Sequence, residues 1–406
     1  MINQGDTAWM LVSAALVMLM TPGLALFYGG MVRRKNVLGT LMHSFFAIAI
    51  VSLQWILIGY SLAFGPDVKG IIGNLDWALL HNVGLQPSPY APTVPHMAFM
   101  IYQAMFAVIT PALISGAIAE RMKFSAYVLF VLLWSTLVYD PVAHWVWGAG
   151  GWLRRFGTLD FAGGLVVHAT SGLSALAAAL FIGKRKGVFT EPMPPHNLPM
   201  TVIGAGLLWF GWFGFNAGSA LSSGQLSTLA FVTTHAAAVA ATCSWVAIEW
   251  VHRGKPTVFG AATGSIAGLA TITPAAGYVG PDAALIIGAL AGLLCYAALN
   301  LKPRLGYDDS LDAFGVHGIG GLTGTLCVGL FASLAANPAG ANGLFFGSAH
   351  QLYIQLGSAA IIGAYSFIVC LVILKVVDVI TGLRVSSEHE DRGLDITLHG
   401  EEGYYL

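Results

Sequence analysis

Charge is what this sequence has least of. Of 406 residues only 9% are Asp, Glu, Lys or Arg, against about a quarter in an ordinary soluble domain, which needs that charge to face water. A water-soluble globular fold is excluded on that ground, and a formal net charge of −1 gives no reason to expect nucleic acid as a partner. Cysteine is scarce too. Cys243, Cys295, Cys327 and Cys370 stand singly in apolar runs without a C-x-x-C pair, which argues against a thiolate metal centre or a disulfide framework and for small buried hydrophobes. The chain has no G-x-x-x-x-G-K-S/T stretch, no complete H-E-x-x-H and no kinase-like set, so ATP hydrolysis and metalloprotease chemistry lack support. No basic region precedes the first apolar run, MINQGDTAWMLVSAALVMLM, which therefore reads as a spanning helix and not as a cleaved leader.

What is there is hydrophobic: 56% of the residues, with 50 glycines and 12 methionines, a composition suited to close helix packing in lipid. A span needs about 20 apolar residues. Eleven such runs occur, near 8–29, 41–64, 97–119, 124–143, 162–183, 200–218, 227–250, 258–274, 283–301, 313–335 and 353–377, the eighth being short and rich in Gly and Ala. With the N-terminus outside, every Lys and Arg except Lys69, Arg154 and Arg155 falls on the inner side, which predicts N-terminus out and C-terminus in. Eleven divides into five plus five plus one, with the two fives of opposite topology, the inverted repeat of many transporters. Setting AGGLVVHATSGLSALAAAL against AFGVHGIGGLTGTLCVGL puts His168 and His317 at comparable depth. The stretch 65–95 reads as irregular cover, and the polar last thirty residues as a cytoplasmic tail, ordered only when something binds it.

Ionisable groups inside a membrane are expensive and mark function by default. His168 and His317 stand out first. The competing reading is two core histidines, each donating one N–H to a backbone carbonyl. If the rings meet, one must donate and the other accept, and apolar surroundings keep both mostly neutral, able to share or pass one proton. Asp160 precedes the fifth span by a few residues, where a carboxylate accepts the free N–H groups of a helix start; direct substrate contact is the alternative. Aromatic residues cluster in HWVWGAGGW around Trp147, in YQAMFAVITP around Phe106 and in WFGWFGFNAGSA. They form an interfacial belt or a face on which a small cation rests, with Ser219 as a hydroxyl acceptor. A metal enzyme would need further ligands at the depth of the histidine pair, but His144 and Asp160 lie near the outer side and His235 and His350 are isolated.

The stretches MTPGLALFYGGMVRRKNVL, ISGAIAERMKF, LDFAGGLVVHATSGLSALAAALFIGKRKG, PHNLPM, GWFGFNAGSA and DDSLDAFGVHGIGGLTGTL resemble the ammonium transporter family, shared with methylammonium permeases and distantly with Rhesus proteins, over essentially residues 6 to 400. The resemblance implies an all-α polytopic homotrimer, one pore per subunit, in the cell membrane. The membrane domain would be 1–377 (repeats near 8–183 and 200–335, final helix near 353–377) and the regulatory tail 378–406. It implies an outer ammonium site of Phe106, Trp147 and Ser219 with Asp160 as the structural carboxylate below. Phe106 and Phe215 would be the stacked gate, His168 and His317 the twin histidines, and Trp212 the lining lower down. Tyr102 is phenylalanine in some relatives, and its hydroxyl is expected to alter hydration at the pore mouth. The implied activity is transport, not catalysis, without a cofactor. Ammonium is deprotonated outside, ammonia and the proton cross separately, and charge moves; methylammonium is a second substrate. A neutral ammonia channel and an ammonium sensor are the alternatives. A P-II-type signal protein is the implied partner of the tail, which carries Gly393, Leu394 and Asp395 in a family-like turn.

Overall fold

The computed structural model describes residues 1–404. Ten helices are long and apolar enough to cross a membrane: α1 (Gln4–Met31), α2 (Arg34–Phe64), α3 (His96–Ile118), α4 (Phe124–Phe156, broken after Trp147), α5 (Gly164–Ile182), α6 (Leu198–Gly218), α7 (Gln225–Arg253), α9 (Pro281–Leu305), α10 (Phe314–Phe331) and α11 (Ala349–Thr381). Between α7 and α9 lies α8 (Val258–Ile272), of 15 residues. It rises roughly 22 Å, short of the hydrocarbon thickness, and it is buried among its neighbours from Ala262 to Ile272. The protein is thus all-α, polytopic and multi-pass, and among the described residues the weak eighth run is the one of the eleven apolar runs whose helix falls below spanning length. Below, the side bearing residues 65–95 is called upper and the side bearing the C-terminal segment lower.

Helices in lipid gain nothing from burying apolar surface against one another, so close backbone approach has to hold them together. That is how glycine is used. Along the α1–α6 contact a Cβ on Gly30 would strike Thr201, and one on Gly204 would strike the backbone of Phe27. At the centre, α5 and α10 cross on a reciprocal pair: a Cβ on Gly172 would collide with the Gly318 backbone, and one on Gly321 with Gly164, Ala169 and His168. Each of these two glycines lies one helical turn beyond a histidine. The crossing therefore carries His168 toward His317.

The helices are not uniform. Single π turns interrupt them at Trp55–Gly59, Ser135–Tyr139, Gly164–Ala169 and Phe314–Gly318, a distortion that exposes backbone groups and recurs at functional sites. The last two contain His168 and His317.

On the upper face, β1 (Asp67–Val68) and β2 (Ile72–Gly73) form a small antiparallel hairpin. It is pinned to α4 by Trp145 Nε1 donating to the Ile71 carbonyl at 2.7 Å and by His144 and Arg155 reaching Asp67. The C-terminal segment is ordered. What binds it is the chain's own lower face. Asp395 accepts the backbone N–H of Leu38 and Gly39, Asn36 accepts that of Leu394, and Glu390 takes Arg384 and the Lys186 N–H. Beneath it a buried ion-pair cluster joins Glu120 to Arg33 and Arg185, and Asp308 to Arg185. Burial works against the Glu120 and Asp308 carboxylates, yet the guanidinium groups outweigh it and hold both below the usual carboxylate range.

Candidate functional site

Two chambers meet at a stacked pair of phenylalanines, Phe106 in the wall of one and Phe215 in the wall of the other. The upper one, of about 570 Å³, is walled by Phe106, Trp147, Asp160 and Ser219 among others. Phe106 and Phe215 close its floor, ring over ring, with centroids 4.2 Å apart at 29°. Trp147 stands edge-on to Phe106 at 6.0 Å. These ring faces are the kind that attract a desolvated cation. Ser219 donates its hydroxyl to the Phe215 carbonyl at 2.8 Å, which ties the rim of α6 to the floor.

Below the stack lies a chamber of about 10 Å³, walled by Leu24, Phe27, Val167, Trp212, Phe215, His168 and His317 among others. That volume is near one water-sized sphere. Ammonia fits; a hydrated cation does not, and stripping its water in these walls would be costly. The imidazoles of His168 and His317 lie 5.2 Å apart, centroid to centroid, at 15°, and Trp212 lies near-parallel to His168 on another side at 5.4 Å. Both ring nitrogens of His168 and Nδ1 of His317 are buried without a protein partner. This is not the arrangement of two core histidines each tied to a carbonyl, nor is there a ring-to-ring N–H···N bond. Both histidines stand in the chamber wall, its titratable side chains among the described residues.

Asp160 is 5% exposed, and both its oxygens are spent on one task. They accept the N–H groups of Gly163 and Gly164 (Oδ1; 2.9 and 2.7 Å) and of Leu165 and Val166 (Oδ2; 2.8 and 3.0 Å), four donors at the start of the π turn that carries His168. Trp147 donates Nε1 to the Asp160 backbone carbonyl at 2.9 Å. One aspartate thus fixes the His168 turn and the Trp147 ring together.

Two residues of this region escaped the sequence reading. Asp309 stands eight residues before His317, as Asp160 does before His168, and it accepts the N–H groups of Ala313 and Phe314 at 3.1 and 2.7 Å at the start of the second histidine turn. The matching spacing was the available signal. Gln103, one turn before Phe106, walls the upper chamber with a buried, unpartnered Oε1. Tyr102 is not among the residues walling either chamber; its hydroxyl bonds the carbonyls of Gly214 and Phe215 (3.0 and 2.9 Å) and Ser219, which itself walls the upper chamber. Among the described residues no His, Cys, Asp and Glu cluster could hold a metal.

The family model described as Ammonium Transporter Family matches residues 8–404. The chain is 53% identical to an ammonium transporter of Bacillus subtilis over 403 residues, 99% of each. In three dimensions it is similar to the crystal structure of Candida albicans Mep2, with a TM-score of 0.91 at 36% identity over 96% of this chain and 88% of that one. It is also similar to a sensor Amt protein, with a TM-score of 0.90 at 30% identity over 97% and 98%.

Proposed function

The chain belongs to the ammonium transporter family, and from that premise we infer how it carries out ammonium transport and which residues do so. One observation carries the reading: unpartnered imidazole nitrogens of His168 and His317 in a chamber of about 10 Å³ beneath a stacked phenylalanine pair. Ammonium is received on Phe106, Trp147 and Ser219, with Gln103 Oε1 as an added acceptor. Asp160 keeps its carboxylate on the backbone and acts on the cation only through the geometry and charge it sets at the mouth. A proton leaves ammonium above the Phe106–Phe215 stack. Neutral ammonia then passes the narrow chamber along Trp212, while the histidine pair relays the proton, so that net charge crosses. Potassium has no proton to surrender and is refused. Methylammonium shares the proton chemistry and is a second substrate.

The remaining architecture follows the same reading. Eleven helices cross, α8 among them within the protein; five plus five form an inverted repeat, the N-terminus faces out, and residues 1–377 are the membrane domain. The recurrence of an aspartate, a π turn and a histidine at Asp160–His168 and Asp309–His317 supports the repeat. The apolar outer faces, such as Val239, Leu285 and Leu293, suit lipid or a second subunit in a homotrimer. The tail 378–406, whose residues 390–395 dock on the lower face, is the surface offered to a P-II-type signal protein. Uptake of labelled methylammonium into vesicles tests the assignment: Phe106→Ala and Trp147→Ala are expected to weaken apparent affinity, and unchanged uptake in both would remove the outer site from the account. Fold likeness to a sensor keeps a second reading in play, and binding without uptake is what would favour it.

A further inference from the structure

The molecule buries aspartates with very different company. Asp160 has four backbone N–H donors, and Asp309 has two, with the Lys302 ammonium on its carbonyl. Asp140, in the middle of α4 and wholly buried, has a single neutral donor. Gln54 of α2 gives it Nε2–H at 2.7 Å to Oδ2, and the same amide nitrogen also reaches Thr136 Oγ1 at 3.1 Å. The other oxygen of each group, Asp140 Oδ1 and Gln54 Oε1, is buried without a partner. Two acceptors therefore sit beside one acid–amide contact with no donor for either.

No described ion pair includes Asp140. Titratable groups on its own helix and on the elements packed against it are engaged elsewhere. His144, one turn along α4, bonds the Ala63 carbonyl and Asp67; Tyr60 and His96 bond each other at 2.6 Å; Tyr365 donates to the Leu137 carbonyl. The adjacent Tyr139 hydroxyl is buried and unpartnered. Gln54 lies roughly 15 Å from the end of α2 at Phe64, so bulk water is distant, and Gly59 gives its amide room, since a Cβ there would strike it. Two further π turns abut these residues, Trp55–Gly59 directly after Gln54 and Ser135–Tyr139 directly before Asp140. An ionised carboxylate so placed would lack the donors that satisfy Asp160.

We propose that Asp140 and Gln54 form a proton-binding site outside the ammonium path, occupied at neutral pH. One proton on Oδ1 converts an unpartnered acceptor into a donor for Gln54 Oε1, giving a neutral acid–amide pair that joins α2 to α4. Neither residue walls either chamber, so the proton is resident and is not the one that accompanies ammonia. This site stands whether transport is electrogenic or neutral.

Infrared difference spectroscopy on the full chain in liposomes tests it. The expected result is a protonated-carboxyl stretch at pH 7 that is absent in Asp140→Asn and unmoved by ammonium. Asp140→Asn mimics the neutral acid in shape and hydrogen bonding, so its ammonium current should stay within about twofold of the parent. Should that variant fail to fold, Gln54→Leu supplies a second reading, because the acid loses its amide partner and its stretch should move to higher frequency. A carboxyl stretch that appears only in acid, one unaltered in both variants, or one that vanishes during transport would overturn the proposal. So would thermal stabilisation by sodium that Asp140→Asn abolishes, which would make the site a metal-cation site.

Discussion

The turn that holds His168 and the turn that holds His317 use the same parts in different surroundings. Each has an aspartate eight residues ahead, a π turn, and a glycine one turn beyond that meets the opposite helix. Asp160 lies under an open chamber of about 570 Å³ and binds four N–H groups. Asp309 lies among the charges of the lower face, binds two, and has Lys302 paired with Asp312 alongside. Burial, opposed by Lys302 and abetted by Asp312, pushes the Asp309 carboxyl up to about 6. The upper turn is thus held by hydrogen bonds alone, whereas the lower turn leans on a network whose charge changes with pH. Of the two, the lower turn is the one whose support changes charge with pH.

The largest test of that difference is truncation. Asp160→Ala leaves four buried N–H groups without an acceptor, each costing about 1–3 kcal/mol, so a loss above about 4 kcal/mol is expected, large for one residue. Asp309→Ala orphans two and should cost roughly half as much. Thermal unfolding in detergent measures both, and equal losses would break the comparison. Next comes the crossing: Gly172→Ala should cost about 1–3 kcal/mol by overpacking but reduce transport disproportionately, because the Cβ forces His168 away from His317. Gly321→Ala should behave likewise, and full flux in either would mean that ring separation is not critical.

A smaller effect is expected for Tyr102→Phe. It removes bonds to two carbonyls and Ser219 and should cost about 1 kcal/mol, with methylammonium uptake unchanged; altered substrate selectivity would place the hydroxyl at the pore mouth. The smallest is the pH slope. Since the folded Asp309 carboxyl is raised, the native state holds more proton than the unfolded chain between about pH 4 and about pH 6. Its contribution to stability is therefore full below that window and lost as pH rises through it. Subtracting the Asp309→Asn curve from the parent curve should give a decline across that window and a flat line above it, and a flat difference throughout would remove the titrating lower turn.

Much of this was legible from residue patterns. Apolar runs gave the helices because lipid demands uninterrupted hydrophobicity, and His168, His317 and Asp160 stood out because polar groups there are rare. Asp309 was hidden among Asp308 and Asp312 in one short polar stretch, where nothing marks which carboxylate turns inward. The bonds of the Tyr102 hydroxyl to the Gly214 and Phe215 carbonyls were not legible, because sequence does not say which carbonyls of a neighbouring helix a side chain meets. The docking of Asp395 and Leu394 on residues 36–39 joins segments more than 350 positions apart, and composition alone reads such a tail as unattached. The π turns have no residue signature at all, and they recur in helices as different as α2, α4, α5 and α10.

The central claim is that ammonia and a proton cross separately by way of His168 and His317. Current across a supported membrane carrying the purified protein, after pulses of ammonium and then of potassium, tests it most directly, beside His168→Ala and His317→Ala. The account predicts an ammonium current without a potassium current in the parent, and loss of that current or a potassium leak in the variants. Rapid ammonia-driven pH change in vesicles with no current at all would contradict it and leave a neutral gas channel.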